Sequence, residues 1–309
     1  MTDAVETMAY VGQTPWHGLG NRVEDGIDLD DFRREAGLDW EVQKSPVFYE
    51  DGVSFKDRFV LNRTSDRYPF AVVSSRYKPV QPKEIFEFFR DLLAQHGMKM
   101  HTAGSLMNGG RIWALAQTGD SAFIRGSDRV DSYLLLSTSY DLTLSTLAQF
   151  TSVRVVCNNT LQQALEESDG RVTVPHTTDF DQEFIKEALG ISKEQWSIFS
   201  GALQVLAHID MDVPKAREVL SKVFDLLEDP TKPDPNRKHV EIIVNTFAAQ
   251  AFKGSDLAGY TAWGLLNGVT EYIDHWKRAR NQGNRLNSAW FGEGAEYKKR
   301  TLNELLKLI

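Results

Sequence analysis

The sequence feature that most constrains the fold is a short run of turn-forming residues between two strand-like segments. Residues 107–110 read Met-Asn-Gly-Gly, and they separate residues 101–106 from residues 111–117. Asparagine and glycine tolerate the positive φ that a tight hairpin turn requires, so this run predicts two antiparallel strands. A second hairpin is predicted to turn near Tyr140 and Asp141.

These hairpins lie in a stretch, from residue 45 to about 165, that is predicted to be mainly β. One strong helix is predicted within it, because apolar residues recur at helical spacing from Pro82 to His96 and Gly97 ends the pattern. A further helix is predicted over residues 159–167, with Asn158 or Asn159 as its N-cap. Strands followed by a helix make a β-β-β-α-like core.

From Asp181 onward the pattern is helical, with a capping-box sequence at Ser192 and a second N-cap signal at Asp212. The expected fold class is therefore α+β, an antiparallel β-sheet with packed helices followed by a helical C-terminal region. We expect three parts: an acidic N-terminal segment at 1–44, a sheet domain at 45–180 and the helical region at 181–309.

Charge is distributed unevenly along the chain, whose formal net charge is −8. Residues 1–43 carry three bases against ten acids, a balance of −7, whereas residues 275–309 carry eight bases against three acids, a balance of +5. An acidic total argues against non-specific coating of duplex DNA. The basic end is consistent with a local anion site and equally with charge pairing to the acidic end.

The compartment is predicted from cysteine content and hydropathy. A single cysteine, Cys157, cannot form an internal disulfide, which favours a reducing environment. The first ten residues lack the basic and apolar regions of a secretory signal, and no apolar run approaches the roughly 18 residues of a membrane span. We expect a cytoplasmic protein that does not associate with membranes.

Signals of catalysis are weak in this sequence. The seven histidines lack zinc-site spacing, and the glycine-rich run at residues 104–110 lacks the Lys-Ser/Thr pair that would hold phosphate. No nucleophile elbow, dinucleotide fingerprint or carboxylate cluster is present. We therefore expect no catalytic residues, no metal, no cofactor and no enzymatic activity.

Two short segments have a composition that suits binding as well as packing. Trp16 and His17 lie between glycines and a proline, which is typical of a loop that docks, either on a partner or on its own sheet. Arg154, Asn158 and Asn159 fall at a predicted strand-to-helix junction, where helix N-terminal amides favour anions. Ordinary N-capping explains the two asparagines equally well.

A third segment combines a polar helix stripe with a basic and aromatic run. On a helix, Trp263, Asn267, Thr270 and Asp274 share one face, for which a satisfied buried network is the first explanation. Bases and an aromatic residue follow, namely Lys277, Arg278, Arg280, Arg285 and Trp290. Such a mixture suits single-stranded nucleic acid, because cations bind phosphates and rings stack on bases, and it also suits a protein interface.

These segments, taken as residues 15–20, 154–161, 263–276 and 284–292, resemble the recurring blocks of a phage and plasmid protein family of unknown function. The resemblance implies a mobile-element origin within a bacterial host cell and transfers no catalytic residue. The order of strands and helix is also similar to that of single-strand annealing proteins that assemble as rings.

The leading functional hypothesis is a non-enzymatic protein that binds single-stranded DNA in replication or recombination, as a homo-oligomer. Its expected contacts are Arg154, Asn158, Asn159, Lys277, Arg278, Arg280, Arg285 and Trp290. The alternative is a protein-interaction or structural protein, such as an inhibitor of a host factor, that uses the same residues. A metal-dependent nuclease is a third, less favoured reading because no carboxylate cluster supports it.

Overall fold

The strands of the chain form two β-sheets. The structure is a computed structural model that describes residues 5–12, 20–154, 159–162, 171–189, 193–227, 229 and 231–309. The described strands are β1 (Val5–Val11), β2 (Asn21–Val23), β3 (Val42–Tyr49), β4 (Val53–Arg63), β5 (Pro69–Ser74), β6 (Lys99–Leu106), β7 (Arg111–Ile124), β8 (Asp128–Ser139), β9 (Thr146–Arg154), β10 (Asn159–Gln162) and β11 (Arg171–Val174).

The larger sheet has the strand order β10-β9-β8-β7-β6-β1-β2, with β11 also paired to β9. It is mixed, because β1 and β2 are parallel whereas β6 is antiparallel to both of its neighbours, β1 and β7. The smaller sheet is antiparallel and has the order β3-β4-β5. The α+β class predicted from sequence is confirmed.

Helices lie between the strands and make up most of the C-terminal region. They are α1 (Leu29–Glu35), α2 (Pro82–His96), α3 (Gln182–Ala188), α4 (Lys193–Leu206), α5 (Val213–Val223), α6 (Arg237–Ala248), α7 (Ser255–Ala258), α8 (Ala262–Glu271), α9 (Gln282–Phe291) and α10 (Glu293–Leu306). A π-helical turn, Tyr272–Trp276, follows α8 directly.

The chain divides into two compact units. The first comprises residues 1–119, 133–150 and 170–191, and the second comprises residues 120–132, 151–169 and 192–309. Strands β7, β8 and β9 each contain residues of both units. The acidic segment at 1–44 contributes β1, β2 and α1 to the first unit, and the three-part division expected from sequence stays a prediction.

The first unit is organised around a hydrophobic cluster into which α2 buries one face. Glu84 accepts a hydrogen bond from the Gln81 N–H at 2.7 Å, and Pro82 occupies the first turn, so the helix begins where the sequence predicts. It ends at Gly97, whose φ of 65° is left-handed. Its buried face includes Ile85, Phe86, Phe88, Phe89 and Leu92.

Both predicted hairpins are present. Strands β6 and β7 pair antiparallel around residues 107–110, with Leu106 opposite Arg111. Strands β8 and β9 are neighbours in the sheet, on either side of the turn that follows Ser139.

The helix predicted over residues 159–167 is wrong at its start. Residues 159–162 form β10, which pairs antiparallel with β9, Asn159 lying opposite Arg154 and Gln162 opposite Thr151. The pairing satisfies backbone hydrogen-bonding groups along one side of β9, and the β-branched Thr160 suits a strand. Asn159 therefore begins a strand and not a helix, while Asn158 and residues 163–170 lie outside the described part.

The second unit is mainly helical. Asp212 caps α5 by accepting from the Lys215 N–H at 2.8 Å, as the sequence predicts. Helix α10 packs against α5, α8 and α9, so the last helix of the chain lies against three earlier ones. Among the described residues, no helix is long and apolar enough to cross a membrane.

Candidate nucleic-acid interface

The polar stripe on α8 is a buried hydrogen-bonded network of the second unit. Trp263 donates its indole N–H to Asp128 Oδ2 at 2.8 Å, and Asn267 donates its amide to the Trp263 carbonyl at 2.8 Å. Thr270 donates its hydroxyl to the Asn267 carbonyl at 3.1 Å. Trp263, Asn267 and Thr270 are buried, as is Asp128, so this part of the stripe packs inside the second unit and supports its fold.

The fourth member of the stripe, Asp274, belongs to a buried ion pair. Lys298 Nζ on α10 lies 2.7 Å from Asp274 Oδ1, and the two side chains are 4% and 8% exposed. Burial lowers the pKa of Lys298, which the charge of Asp274 and their hydrogen bond partly oppose. This lysine is occupied inside the unit and is not available to phosphate.

Lys277, the first base of the predicted binding run, is also paired internally. Its Nζ lies 2.5 Å from Glu293 Oε2 and 5.0 Å from the centre of the Tyr297 ring, and its side chain is 16% exposed. The hydrogen bond from Lys277 is the main reason that the pKa of Glu293 is lowered. A phosphate would have to displace this carboxylate to reach the ammonium group.

Arg285 and Trp290 on α9 are held by the protein as well. Arg285 is half-buried and donates from Nη1 to the His275 carbonyl at 2.6 Å. Trp290 is 7% exposed and meets Phe291 edge to face, so its ring offers no open face for a base. A ring this deeply buried is not suited to the base-stacking role expected for Trp290.

Three neighbouring residues are exposed instead, and we call Trp276, Arg278 and Arg280 the Trp-Arg segment. Trp276 is 43% exposed, and both arginines are exposed. Within the described ranges, neither guanidinium has an ion-pair partner, in contrast to Lys277. An open indole beside two unpaired guanidinium groups is what phosphate and base contacts require.

The π-helical turn explains why Trp276 is exposed. On a regular helix Trp276 would share the apolar face of Val269 and Ile273, and sequence periodicity assigns it there. In the structure the Lys277 N–H donates to the Tyr272 carbonyl at 2.6 Å, a bond to the fifth residue back. The wider turn shifts each following residue around the axis, while Ile273 remains buried.

The other sequence-predicted residues lie at or beyond the limits of the described chain. Arg154 ends β9 and Asn159 begins β10, and the two are register partners, but nothing is described of their side chains. Asn158, Trp16 and His17 lie outside the described residues. In the ranges that are described, no group of three or more histidine, cysteine or acidic side chains is arranged to hold a metal ion.

Sequence reasoning missed Trp276 and Asp128. The polar residues around Trp276, with Asp274 and His275 before it and Lys277 and Arg278 after it, are the signal that could have marked it as exposed. Asp128 carries no local signal, because it lies 135 residues before Trp263, the residue that it binds.

Of three comparisons with known proteins, one gives a match. A family model described as a domain of unknown function, DUF932, matches residues 69–290. Neither a curated protein nor a solved structure matches the chain. The matched range includes β5, both hairpins and the Trp-Arg segment, and the family description names no activity.

Proposed function

We propose that this chain, which belongs to the DUF932 family of domains of unknown function, binds single-stranded nucleic acid through the Trp-Arg segment. The observation that carries the proposal is the exposure of Trp276 beside Arg278 and Arg280, in a region whose other described bases are paired or half-buried. The indole stacks on one base, and the two guanidinium groups bind the flanking phosphates.

The footprint of one copy is short. Two arginines neutralise about two phosphates, and the net charge of −8 repels the rest of a polyanion. Affinity from one copy is therefore modest, and a homo-oligomer that presents several Trp-Arg segments to one strand raises it through effective concentration. Oligomerisation is part of the proposal for this reason.

The same proposal includes the biological setting that the sequence resemblance implies. Replication and recombination of a phage or plasmid expose single strands, and a cytoplasmic protein of the host cell would meet them there. The chain's acidic character argues against non-specific coating of duplex DNA.

Protein interaction is the second candidate, and the tip of the β3–β4 hairpin favours it. Phe48, Tyr49, Val53 and Phe55 are each more than half exposed, and the rings of Tyr49 and Phe55 meet edge to face. Exposed apolar clusters of this kind mark contact surfaces. This candidate predicts that substitutions at the hairpin tip, and not at Trp276, impair function.

Salt dependence and substitution together test nucleic-acid binding. With two phosphate contacts, the slope of log K against log salt is expected near −1.4, and Arg278→Gln or Arg280→Gln should halve it. Trp276→Ala should cost about 1–3 kcal/mol of binding free energy with little change of slope, because stacking releases no counterion. Fluorescence anisotropy with a labelled oligonucleotide measures both quantities.

A matched control is Arg300→Gln, which removes an arginine already bound to Asp225 at 2.6 Å. Its binding and slope should equal those of the wild type. The proposal fails if the folded wild type binds no single-stranded sequence at low salt and tens of micromolar protein, or if Arg300→Gln weakens binding as much as Arg278→Gln does.

A further inference from the structure

A small cavity in the first unit lies beside the N-terminal strands, and the nucleic-acid proposal does not use it. Its volume is about 240 Å³. Five elements contribute to it: the end of β1, the loop between β2 and α1, the first helix, the end of α2 and the start of β6. The walls are formed by Val11, Asp25, Gly26, Ile27, Phe32, Leu93, Met98, Lys99 and Met100.

The walls of this cavity are mostly apolar. Phe32, Met98 and Met100 are buried, and Ile27 and Leu93 pack against the same hydrophobic cluster. The volume exceeds the roughly 150 Å³ that holds a benzene molecule, and it is below the roughly 300 Å³ at which drug-sized pockets begin. The occupant that fits is therefore a little larger than one aromatic ring or one branched alkyl chain.

Two opposite charges lie among these apolar walls. Lys99 Nζ is 2.8 Å from Asp25 Oδ2, and their side chains are 64% and 56% exposed, so the pair lies on the open side of the cavity. An ion pair this exposed contributes little to stability, because water screens it. Separating the two groups by a few ångströms to admit a ligand is correspondingly inexpensive.

We propose that this cavity binds a small zwitterion with an apolar side chain, of the chemical class of the branched and aromatic α-amino acids. The ligand carboxylate binds the ammonium group of Lys99, and the ligand ammonium group binds the carboxylate of Asp25. The side chain enters the cavity against Phe32 and Met100. Each charge that leaves the internal pair gains an opposite charge on the ligand, so neither is left uncompensated.

This geometry discriminates among close analogues of one ligand. Leucine carries both charges and the branched chain, 4-methylpentanoate lacks the ammonium group, isopentylamine lacks the carboxylate, and glycine lacks the side chain. A ligand with only one charge separates Asp25 from Lys99 and pairs with only one of them. Leucine is therefore expected to bind at least tenfold more tightly than any of the three analogues.

Isothermal titration calorimetry on the full chain tests this, with leucine, phenylalanine and the three analogues as probes. Saturable binding of leucine or phenylalanine is expected, and Lys99→Met or Asp25→Asn should weaken it at least tenfold. Ile27→Phe, which fills the cavity, should also weaken it. The matched control is Lys78→Met, since Lys78 forms an exposed ion pair with Asp179 at 2.6 Å away from the cavity walls.

The proposal is overturned by any of three results. One is the absence of saturable binding up to about 10 mM of either amino acid. Another is equal affinity for leucine and its singly charged analogues, and the third is an equal loss of binding in Lys78→Met and Lys99→Met. Circular dichroism establishes that each variant is folded, which is expected because both charged side chains are mostly exposed.

Discussion

At the scale of single residues, the second unit depends on charged groups that are removed from water. Asp274 and Lys298 are almost fully buried, and they lie on adjacent elements, the π-helical turn and α10. Taking both charges out of water is costly, and their mutual attraction offsets that cost only while both remain. The pair therefore ties the end of the polar stripe to the last helix of the chain.

Removing one member of this pair should be far more damaging than removing both. Lys298→Met or Asp274→Asn should each lower the free energy of unfolding by about 3–5 kcal/mol, whereas the double variant should recover part of that loss. Urea denaturation monitored by circular dichroism measures the difference.

The matched control for the buried pair is Lys307→Met. Lys307 contacts Glu304 at the end of α10, where the lysine is 68% exposed, so its loss should change stability by less than about 1 kcal/mol. Equal losses in Lys298→Met and Lys307→Met would show that the buried pair has no special role.

The environment of His176 makes the stability of the first unit depend on pH. Its ring stacks on Tyr77 with centroids 4.6 Å apart, and Nε2 lies 3.2 Å from the Leu144 carbonyl. Burial lowers the pKa of His176 below its ordinary value of 6.5. The folded state therefore binds this proton less readily than the unfolded state does.

The sign of the pH effect follows from that difference. Neutral His176 makes its full contribution to the free energy of unfolding above the ordinary pKa of about 6.5. That contribution is lost as the pH falls below this value and through the lower pKa of the folded state. His176→Gln should therefore show a smaller loss of unfolding free energy between pH 8 and pH 5.5 than the wild type. His208→Gln, at an exposed position, serves as the comparison, and an equally flattened profile in both variants would contradict the assignment.

At the scale of elements, strand β6 of the large sheet lies very close to its neighbours β1 and β7 at one position, Gly104. A Cβ atom on Gly104 of β6 would lie 2.5 Å from the Thr7 carbonyl oxygen on β1 and 2.7 Å from the ring of Trp113 on β7. Neither neighbour is the free end of a flexible chain, because one is backbone and the other is a buried indole. The strand can therefore hold only glycine here without a shift.

Gly104→Ala should destabilise the protein by about 1–3 kcal/mol, the usual cost of overpacking. The comparison is Gly201→Ala on α4, where a Cβ would meet nothing within 4 Å. That exchange should raise the free energy of unfolding by about 0.5–1 kcal/mol through helix propensity. Thermal unfolding of both variants should shift in opposite directions, and shifts of the same sign would count against this packing.

The sequence predicts correctly those elements whose start and end are set by residues close together in the chain. Helix α2 has its cap, its proline and its left-handed glycine within residues 81–97, and the turn at 107–110 carries its own backbone preference. Strand β10 was predicted as a helix because Asn158 and Asn159 are typical N-cap residues, whereas pairing with β9 decides its conformation. Where the local propensity for helix or strand is weak, pairing with another segment of the chain decides the secondary structure.

The candidate interface was predicted as a region but not residue by residue. Its bases are concentrated between residues 277 and 300, a pattern that is visible in sequence. Which of them are free depends on carboxylates such as Glu293 and Asp225, which approach only after folding. The exposure of Trp276 depends on a π-helical turn, which no apolar periodicity signals.

At the scale of the whole molecule, the uneven charge distribution is balanced locally. Acidic side chains near the N-terminus contact Arg33, Arg34, Arg90 and Lys99, and basic side chains near the C-terminus contact Asp225, Asp274, Glu293 and Glu304. These ion pairs therefore neutralise part of the opposite net charges that the sequence carries at its two ends.

The interleaved course of the chain has a consequence for its biosynthesis. Residues 1–119 belong to the first unit, but its last segment, 170–191, is translated only after residues 120–132 and 151–169 of the second unit. Strand β11 and α3, both in that last segment, must leave the ribosome before the first unit can close. Because translation adds about 5–20 residues per second, the nascent chain waits several seconds with its hydrophobic cluster incomplete, in reach of chaperones.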